Sequence, residues 1–534
     1  MLSEDKYFHT LTEDELWKRY CGFLDLSIDQ FMDIQREFLM DEIELVANSI
    51  LGKKIMNNQK PKSVEEFRQV VPLTTYDDYE PYLSEQREDA LAIKPHRWCH
   101  SSGKGGRFKW FPVAVEEFDK TTRNFLSICI LASCGKKREV NIGTEFRFLA
   151  IWPPPPYPSG TSIEYIGQHF TYQHVPPHEM VKDLEIQQRM QKGFQIALRD
   201  GVDVLGAISS VLVRMGEGFA EQTRKMQFST AMLHPKVIFR MLRAKLRSTR
   251  EKRVILPKDL WTPKGIMCGG MDTNVYKDEI ARYWGKEPFD FYASTETMFV
   301  AVTPWNNKAL AFLPDSVFLE FIPCEEQLKH KEDKDYQPST VLLNELEEGK
   351  LYEVIITQFH GMPLLRYRLG DIIRIVSLKD EETGVNLPQI AIQGRVGETI
   401  YLAGMCSLDE KTIWQAIANT GIKYMDWIAC KEYDENQTHL RIYLELKEEK
   451  EPTEIASMID EQLKIVDTDY KDIGDYLKLQ PVKVTLLSRG TFWEYMQEKR
   501  REGADIAQLK PTHMNASEAI IQHLLQLSET ASEK

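Results

Sequence analysis

The spacing of apolar residues predicts helices at the start of the chain. Between Thr10 and Leu51 these residues recur at intervals that place them on one face of a helix. We therefore predict helical hairpins in this segment, which carries no evident chemistry of its own. The apolar face is formed by Leu16, Tyr20, Leu24, Phe31, Ile34, Phe38 and Leu45.

Farther along, strand-like runs alternate with helical patterns. Residues 146–152 and 351–357 are rich in the aliphatic and aromatic residues that favour strands, whereas residues 185–198 have helical spacing. This alternation predicts an α/β fold. Residues 153–158 (PPPPYP) must lie beyond the strand that precedes them, because proline cannot donate to a strand ladder. They form either a rigid pocket-lining loop or a plain turn.

Length and charge narrow the class of protein. A chain of 534 residues is too long to fold around one ordinary hydrophobic core, so two or more domains are expected. The formal net charge of -14 argues against a general binder of nucleic acid or anionic membranes. The basic segment 239–253 carries Met241, Leu242 and Leu246 at helical spacing, which predicts an amphipathic helix with a solvated basic face.

Cysteine usage and the apolar runs favour a cytoplasmic protein. The eight cysteines form no CxxC pair, so neither a zinc site nor a disulfide framework is indicated. The N-terminus is acidic and polar, and the most apolar run, residues 124–134, is too short to span a bilayer. We expect no membrane partner.

The first candidate site is the segment HSSGKGGRFKWFP at 100–112. Glycines let backbone N–H groups approach phosphate oxygens, serine hydroxyls donate hydrogen bonds, and lysines neutralise charge. The P-loop pattern GxxxxGK[ST] is absent, so the alternative is a flexible glycine loop without a ligand. The candidate phosphate-binding residues are Ser101, Ser102, Gly103, Lys104, Gly105, Gly106 and Lys109.

The second candidate site is FYASTE at 291–296, after a glycine-rich turn that ends at Gly270 and a predicted helix at 276–283. Tyr292 offers a ring on which a base can stack. Thr295 and Glu296 offer the hard oxygen ligands that Mg²⁺ prefers. The alternative is a structural role for these residues at a strand end.

The third candidate is PLLRYRLGD at 363–371. Asp371 can accept two hydrogen bonds from vicinal hydroxyls, such as those of a ribose. Alternatively, Asp371 pairs with Arg366 or Arg368 in a salt-bridged turn. The fourth segment, GRVGETIYLAG at 394–404, is either a hinge or a β-turn.

The fifth segment, SRGTFWEYMQEKRREGADIAQLK at 488–510, predicts a turn and a basic helix that lead to Lys510. On physical grounds alone, this lysine is a solvated cation.

Taken in order, these segments resemble the motif series of the adenylate-forming superfamily of acyl-CoA synthetases, luciferases and peptide-synthetase adenylation domains. SSGKGGRFK resembles the phosphate loop SSGTTGxPK, and YASTE resembles YGxTE. YRLGD resembles YRTGD, and GRVGETI resembles the hinge motif GRxxDxI.

The chain more closely resembles the Gretchen-Hagen-three family, the plant auxin-responsive acyl-acid amido synthetases and their bacterial relatives. The resemblance rests on FRQVVPLTTYDDYEPYL at 67–83 and on STVLLNELEEGKLYEVIITQFHG at 339–361. It also rests on GTF at 490–492, followed by Gly503, Ala504 and QLKP at 508–511.

This resemblance implies a large N-terminal α/β domain over 1–394 that binds ATP and an acyl acid. It also implies a smaller, mobile α+β C-terminal domain over 395–534. The resemblance assigns phosphate binding to Ser101, Ser102, Gly103 and Lys109. It assigns adenine packing to Tyr292, Mg²⁺ binding to Glu296, and ribose binding to Asp371 with Arg395 nearby. Glu398 occupies the hinge position, which is usually aspartate, and Lys510 is the adenylation lysine.

The implied activity is that of a ligase, which converts a carboxylic acid and ATP to an acyl-AMP and passes the acyl group to an amine, such as an amino acid. The sequence departs from the usual loop at Lys104, Gly105 and Phe108, and its tail reads KPTH in place of KxPR. Two alternatives stay open: an acyl-CoA ligase of the phenylacetate-CoA ligase type and a catalytically silent nucleotide-binding regulator.

Overall fold

A computed structural model of the chain describes most of its 534 residues. The residues that it leaves undescribed are 102–107, 181–183, 185, 225–233, 270–272, 327–335, 396–398, 403–405, 435–436, 449, 478–480, 502–512 and 533–534.

The chain forms two compact units. The large unit comprises residues 1–101 and 109–396, and the small unit comprises residues 102–108 and 397–534. The boundary after Gly394 stays a prediction.

Short helices open the large unit, as the apolar spacing predicts. Helices α2 and α3 each begin after a hydroxyl side chain, Thr12 and Ser27, that accepts a hydrogen bond from the backbone three residues on. Leu45 was wrongly placed on the buried face, because it is 47% exposed. The helices are α1 (Asp5–Thr10), α2 (Glu13–Cys21), α3 (Ile28–Val46), α4 (Ile50–Ile55), α5 (Val64–Val70) and α6 (Tyr76–Leu83).

An antiparallel hairpin and one mixed sheet carry the rest of the large unit. The hairpin pairs β1 with β2, and the sheet has the strand order β10-β11-β12-β13-β9-β8-β7-β6-β5-β3-β4. Strands β3 to β7 pair in parallel, and the remaining pairs are antiparallel. The strands are β1 (Arg97–Ser101), β2 (Lys109–Val113), β3 (Arg147–Ile151), β4 (Gln173–Val175), β5 (Val204–Ile208), β6 (Gly265–Gly269), β7 (Phe289–Ser294), β8 (Met298–Val302), β9 (Leu310–Phe312), β10 (Phe318–Pro323), β11 (Leu351–Thr357), β12 (Tyr367–Ser377) and β13 (Gln389–Arg395).

Further helices in the described ranges connect the parallel strands or pack beside them. The apolar run at 124–134 lies largely in α7, where it is buried. None of the helices in the described ranges is both long and apolar enough to cross a bilayer. The helices are α7 (Val115–Ser133), α8 (Pro158–His169), α9 (Ile186–Asp200), α10 (Ser209–Arg224), α11 (Pro235–Arg250), α12 (Pro257–Leu260) and α13 (Thr273–Trp284).

The amphipathic helix predicted at 239–253 is present as α11, but its packed side differs from the one expected. Its buried side is formed by Val237, Ala244 and Ser248. Leu242 and Leu246 are 60% and 75% exposed, so the regular spacing identified the helix but not the side that packs on the protein.

A buried arginine ties the N-terminal helices to the sheet. The Arg366 guanidinium bonds both carboxylate oxygens of Glu320, at 3.0 and 2.9 Å. Its Nη1 also donates to the backbone carbonyls of Arg68 and Val71, at 2.7 and 2.6 Å. Thr74 forms a parallel bridge with Tyr367 beside this contact. The segment around α5 is therefore fixed directly to the start of β12.

The small unit is an α+β domain with its own core. Strand β16 pairs antiparallel with β17, which pairs in parallel with β18. Its elements are β14 (Thr399–Leu402), β15 (Cys406–Asp409), α14 (Glu410–Asn419), β16 (Tyr424–Asp434), β17 (Gln437–Leu446), α15 (Pro452–Val466), α16 (Thr468–Leu477), β18 (Val482–Leu487), α17 (Thr491–Arg501) and α18 (Glu518–Ser532).

Candidate active site

A tyrosine and an aspartate from distant strands meet in the large unit. The Tyr292 hydroxyl in β7 donates to Oδ2 of Asp371 in β12, with an oxygen–oxygen distance of 2.5 Å. This length is typical of a hydroxyl bonded to an ionised carboxylate. Both residues are buried, at 4% and 6% exposure. The structure thus brings together two residues that the sequence placed in one nucleotide site.

This contact requires a strongly curved sheet. Strands β8, β9 and β13 lie between β7 and β12 in the strand order. In a flat sheet, four strand spacings would separate the two backbones by about 19 Å, too far for a direct bond between tyrosine and aspartate side chains. Strand β13 pairs with β9 over a short stretch, through Gln389 and Ile390. The sheet curls at this point and brings Asp371 towards β7.

A bulge in β12 shapes the chain beside Asp371. The register between β11 and β12 shifts between Glu353 and Ile355, where β12 contains extra residues. Gly370 lies in this bulge with φ +77°, a conformation that residues with a Cβ adopt only under strain. The glycine of the LGD sequence is therefore needed for the backbone geometry next to the carboxylate.

The salt-bridged alternative for Asp371 is wrong. Arg366 is bonded to Glu320, and Arg368 forms a bidentate pair with Glu353 at 3.0 and 2.7 Å. Neither arginine neutralises Asp371. Arg395 is the backbone partner of Asp371 across β12 and β13, and its role in the nucleotide site stays a prediction.

The turn after β7 presents a carboxylate. Thr295 and Glu296 are half-buried in this turn. Gln358 holds the turn, because its Nε2 donates to the Glu296 backbone carbonyl at 2.6 Å and its Oε1 accepts from the Leu364 N–H at 3.2 Å. Sequence reasoning missed Gln358, which lies inside the segment 339–361 that carries the family resemblance.

The β1–β2 hairpin carries the two ends of the predicted phosphate loop. Ser101 ends β1 and pairs with Lys109 at the start of β2. The Lys109 ammonium lies 5.0 Å from the centre of the Tyr76 ring. Burial, with smaller contributions from Glu80 and Glu296, raises the pKa of Tyr76 to about 12, so its phenol stays protonated. Tyr76 is a second residue without a predicted role, although it lies in the family segment 67–83.

The proline-rich loop packs against the same hairpin. The His100 N–H donates to the Pro156 carbonyl at 3.2 Å, and the His100 ring lies 4.6 Å from that of Tyr157. Burial lowers the pKa of His100, which favours its neutral form. A Cβ on Gly160 would lie 2.5 Å from backbone atoms of this loop, so α8 can approach it only with glycine there. The loop is thus a rigid neighbour of the predicted phosphate loop.

Several predicted site residues lie outside the described residues. They are Ser102, Gly103, Lys104, Gly105, Gly106, Gly270, Glu398 and Lys510. Their roles, the adenine contact of Tyr292 and the metal contact of Glu296 stay predictions.

Solved structures identify the class of fold. An acyl acid amido synthetase, AtGH3.15 in complex with 2,4-DB, matches with a TM-score of 0.54 and 19% identity over 97% of each chain. A 2-hydroxyisobutyryl-CoA ligase in complex with 2-HIB-AMP and CoA matches with a TM-score of 0.55 and 12% identity over 87% of each chain. The chain has the α/β fold of adenylate-forming ligases with a C-terminal domain, which confirms the predicted fold class.

Family models identify the chain more closely. The GH3 family N-terminal domain matches residues 22–251, the central domain matches 310–395, and the C-terminal domain matches 410–519. The chain belongs to the GH3 family, as the motifs predict.

A curated relative shows how far the sequence likeness extends. Jasmonoyl–L-amino acid synthetase GH3.5 of Oryza sativa subsp. japonica is 25% identical over 288 residues, which are 50% of this chain and 48% of the relative. The chain thus spans about half the length of this relative.

Proposed function

We propose that this chain is an ATP-dependent ligase that adenylates a carboxylic acid and transfers the acyl group to an amine, with an amino acid as the acceptor. The observation that carries the proposal is the buried Tyr292–Asp371 pair, which lies where the motif series has its ribose-binding aspartate. Membership of the GH3 family supports the choice of acceptor, because a relative is named a jasmonoyl–L-amino acid synthetase.

In the first half-reaction, the acid's carboxylate attacks the α-phosphorus of ATP, an oxygen–phosphorus bond forms, and pyrophosphate leaves. Asp371 accepts hydrogen bonds from the ribose hydroxyls, and Tyr292 fixes the orientation of its carboxylate. Lys109 neutralises phosphate charge, and Lys510 stabilises the charge that develops on the α-phosphate oxygens.

The residues of the site fit a magnesium ion that arrives with ATP. Glu296 forms no ion pair or side-chain hydrogen bond with any residue that the structure describes, so its carboxylate is available. Within the described ranges, no three His, Cys, Asp or Glu side chains converge as metal ligands. Mg²⁺ in nucleotide sites needs only one or two carboxylates, since phosphates supply other ligands. When bound, the ion would neutralise charge on the phosphates.

In the second half-reaction, the amine nitrogen attacks the acyl carbon, an amide bond forms, and AMP leaves with the bonding electron pair. The amine loses a proton in this step. A panel of carboxylic acids, tested for pyrophosphate release with and without an amino-acid mixture, identifies both substrates. Acyl-CoA in place of an amide would identify the CoA ligase alternative.

Lys510→Ala provides the sharpest test of the adenylation step. We expect ATP–pyrophosphate exchange to fall roughly 10²- to 10³-fold, because one preorganised donor to the transition state is lost. Release of the acyl group from a preformed acyl-AMP should change little. Lys423→Ala, which removes an exposed lysine from the same unit, is the matched control. Exchange at the wild-type rate in Lys510→Ala would remove this lysine from the mechanism.

A further inference from the structure

The turn that carries Glu296 is held by a glutamine from a distant part of the large unit. Gln358 directly follows β11 and is buried, at 7% exposure. Its Nε2 donates to the Glu296 carbonyl at 2.6 Å, and its Oε1 accepts from the Leu364 N–H at 3.2 Å. A carbonyl can only accept and an N–H can only donate, so these two partners fix the orientation of the amide. Both bonds end on backbone atoms, so Gln358 joins one peptide segment to another.

The segment behind Gln358 is itself anchored to a helix. The Gln358 N–H donates to the Leu364 carbonyl at 2.9 Å, which closes a loop over residues 358–364. Within this loop, the Gly361 N–H donates to Oε2 of Glu42 in α3 at 2.7 Å. The loop therefore connects α3 to the turn after β7.

Packing holds Glu42 and the loop together. Glu42 is fully buried, and in the part of the chain that the structure describes its carboxylate has one hydrogen-bond donor, the Gly361 N–H. The Phe359 ring lies 5.0 Å from that of Phe38, one turn earlier in α3. Gly361 has φ +72°, and a Cβ there would lie 3.2 Å from the Ile93 side chain. The path of the loop is therefore closely determined.

The side chain of Glu296 lies near the hairpin that carries the ends of the predicted phosphate loop. Burial raises the pKa of Tyr76, and the charge of Glu296 adds a smaller contribution. Tyr76 lies 5.0 Å from the Lys109 ammonium at the start of β2. All of these residues belong to the large unit. The turn thus presents a carboxylate on the side where ATP phosphates are predicted to bind.

Magnesium is sensitive to the placement of its ligands. It demands a nearly octahedral arrangement at about 2.0 to 2.1 Å, and in nucleotide sites it takes only one or two carboxylates from the protein. A peptide that is held at its carbonyl restricts the direction of the side chain that it carries, so less ordering is needed when the ion arrives. Residues that orient a metal ligand typically contribute about 10- to 100-fold to metal affinity.

We propose that Gln358 is a positioning residue for magnesium-bound ATP, because it holds the Glu296 peptide on a loop that Glu42 anchors to α3. The inference rests on the proposed function, since it takes Glu296 as the magnesium ligand. Tyr292 and Asp371 serve the ribose, which every adenine nucleotide presents with or without a metal. Gln358 acts only through the metal, and this difference provides the test.

Calorimetry with two ligands separates the metal contact from the ribose contact. Mg²⁺·ATP, titrated without an acid so that no reaction starts, uses both contacts, whereas AMP titrated in EDTA uses no metal. Gln358→Leu should weaken Mg²⁺·ATP binding about 10-fold and leave AMP binding unchanged. Glu296→Gln should show the same difference between the two ligands. Asp371→Ala should weaken the binding of both, because both present the ribose hydroxyls.

Two substitutions of Glu42 test the anchor of the loop. Glu42→Gln keeps an oxygen that accepts from the Gly361 N–H, so both nucleotide affinities should stay close to those of wild type. Glu42→Leu leaves this buried N–H without an acceptor and should weaken Mg²⁺·ATP binding about 2- to 10-fold, with AMP binding unchanged. The same loss in Glu42→Gln as in Glu42→Leu would overturn the role of this anchor.

Gln35→Leu is the matched control for Gln358→Leu. Gln35 is also buried, its Nε2 donates to the Val317 carbonyl at 2.8 Å, and its Oε1 accepts from the Leu319 N–H at 2.8 Å. The control thus removes an amide with the same two kinds of backbone bond, at a contact between α3 and the start of β10. Both variants should lower the urea midpoint, but Gln35→Leu should change neither nucleotide affinity.

The outcomes separate the role of Gln358 from the proposed function. Equal weakening of Mg²⁺·ATP and AMP in Gln358→Leu would indicate general damage and overturn the role of Gln358, as would an unchanged Mg²⁺·ATP affinity. Unchanged Mg²⁺·ATP binding in Glu296→Gln would overturn it as well. Wild type that binds both nucleotides but exchanges pyrophosphate with no acid would refute the ligase activity alone, whereas absence of Mg²⁺·ATP binding to wild type would overturn both proposals.

Discussion

Tyr292→Phe isolates the contribution of the hydroxyl that holds Asp371. The substitution removes one oxygen and keeps the buried ring, so packing in the core is unchanged. At 2.5 Å from the carboxylate, this is a charge-assisted hydrogen bond. Such bonds contribute about 1.5 to 3 kcal/mol, and we expect the free energy of unfolding to fall by this amount. The apparent KM for ATP should rise about 3- to 10-fold, since Asp371 keeps its charge but loses its fixed orientation.

The assay combines urea denaturation with pyrophosphate exchange at varied ATP and saturating acid. Tyr352→Phe is the matched control, because it also removes a hydrogen-bonded tyrosine hydroxyl from the large unit: the Tyr352 hydroxyl accepts from the Glu347 N–H at 3.1 Å. The control should lose stability without any change in the KM for ATP. Asp371→Ala should raise that KM further, by about 5- to 150-fold, because both ribose contacts disappear.

Two results would refute this reasoning. Tyr292→Phe with wild-type stability would show that the hydroxyl bond contributes nothing net to folding. A rise in the KM for the acid in place of the KM for ATP would show that the Tyr292–Asp371 pair belongs to the acid site.

Three further tests, one with a control substitution, address other parts of the molecule. Glu320→Gln should lower the free energy of unfolding by about 3 to 5 kcal/mol, because it leaves Arg366 buried without its counter-charge. The control is Glu347→Gln, which breaks the exposed pair with Lys350 and should lower the free energy of unfolding by less than about 1 kcal/mol. Similar urea midpoints for the two variants would contradict this expectation. Burial raises the pKa of Asp290 to about 7, so ionisation of its carboxyl destabilises the fold as the pH rises from about 4 to about 7. Asp290→Asn should therefore gain stability over wild type at pH 8 but little at pH 4, and an equal gain at both would be evidence against it. Lys104→Ala should raise the KM for ATP if this lysine replaces the missing threonines, whereas an unchanged KM would favour a solvated loop.

The sequence predicted those features that depend on local spacing. Residues 351–357 form β11 as expected, and the predicted helix at 185–198 lies within one residue of α9 at its start. The ordered motifs also identified the family, because each motif occupies a fixed place in the fold. Asp371 was predicted to bind a ribose, because its carboxylate can accept hydrogen bonds from two hydroxyls. The structure places Asp371 against Tyr292, which belongs to the second motif.

Features that depend on distant packing could not be predicted in the same way. Periodicity showed that Leu242 and Leu246 belong to a helix, but it cannot tell which side of a helix meets the core. Similarly, the partners of Arg366 and Arg368 are glutamates from β10 and β11, and only strand order brings them together. Gln358 bonds to the carbonyl of Glu296, a residue 62 positions earlier in the chain, and no local pattern reveals such a contact.

The contact of Arg366 with the N-terminal helices has a consequence for biosynthesis. Arg366 donates to the carbonyl of Arg68, a residue 298 positions earlier in the chain. At about 5 to 20 residues per second, a ribosome needs roughly 15 to 60 seconds to add that length. During this interval the apolar surfaces of α5 and α6 lack their final partners, so the emerging chain is exposed to aggregation until β12 has left the ribosome. Slow translation or limited chaperone capacity should therefore reduce the yield of folded protein, even when the catalytic residues are unchanged.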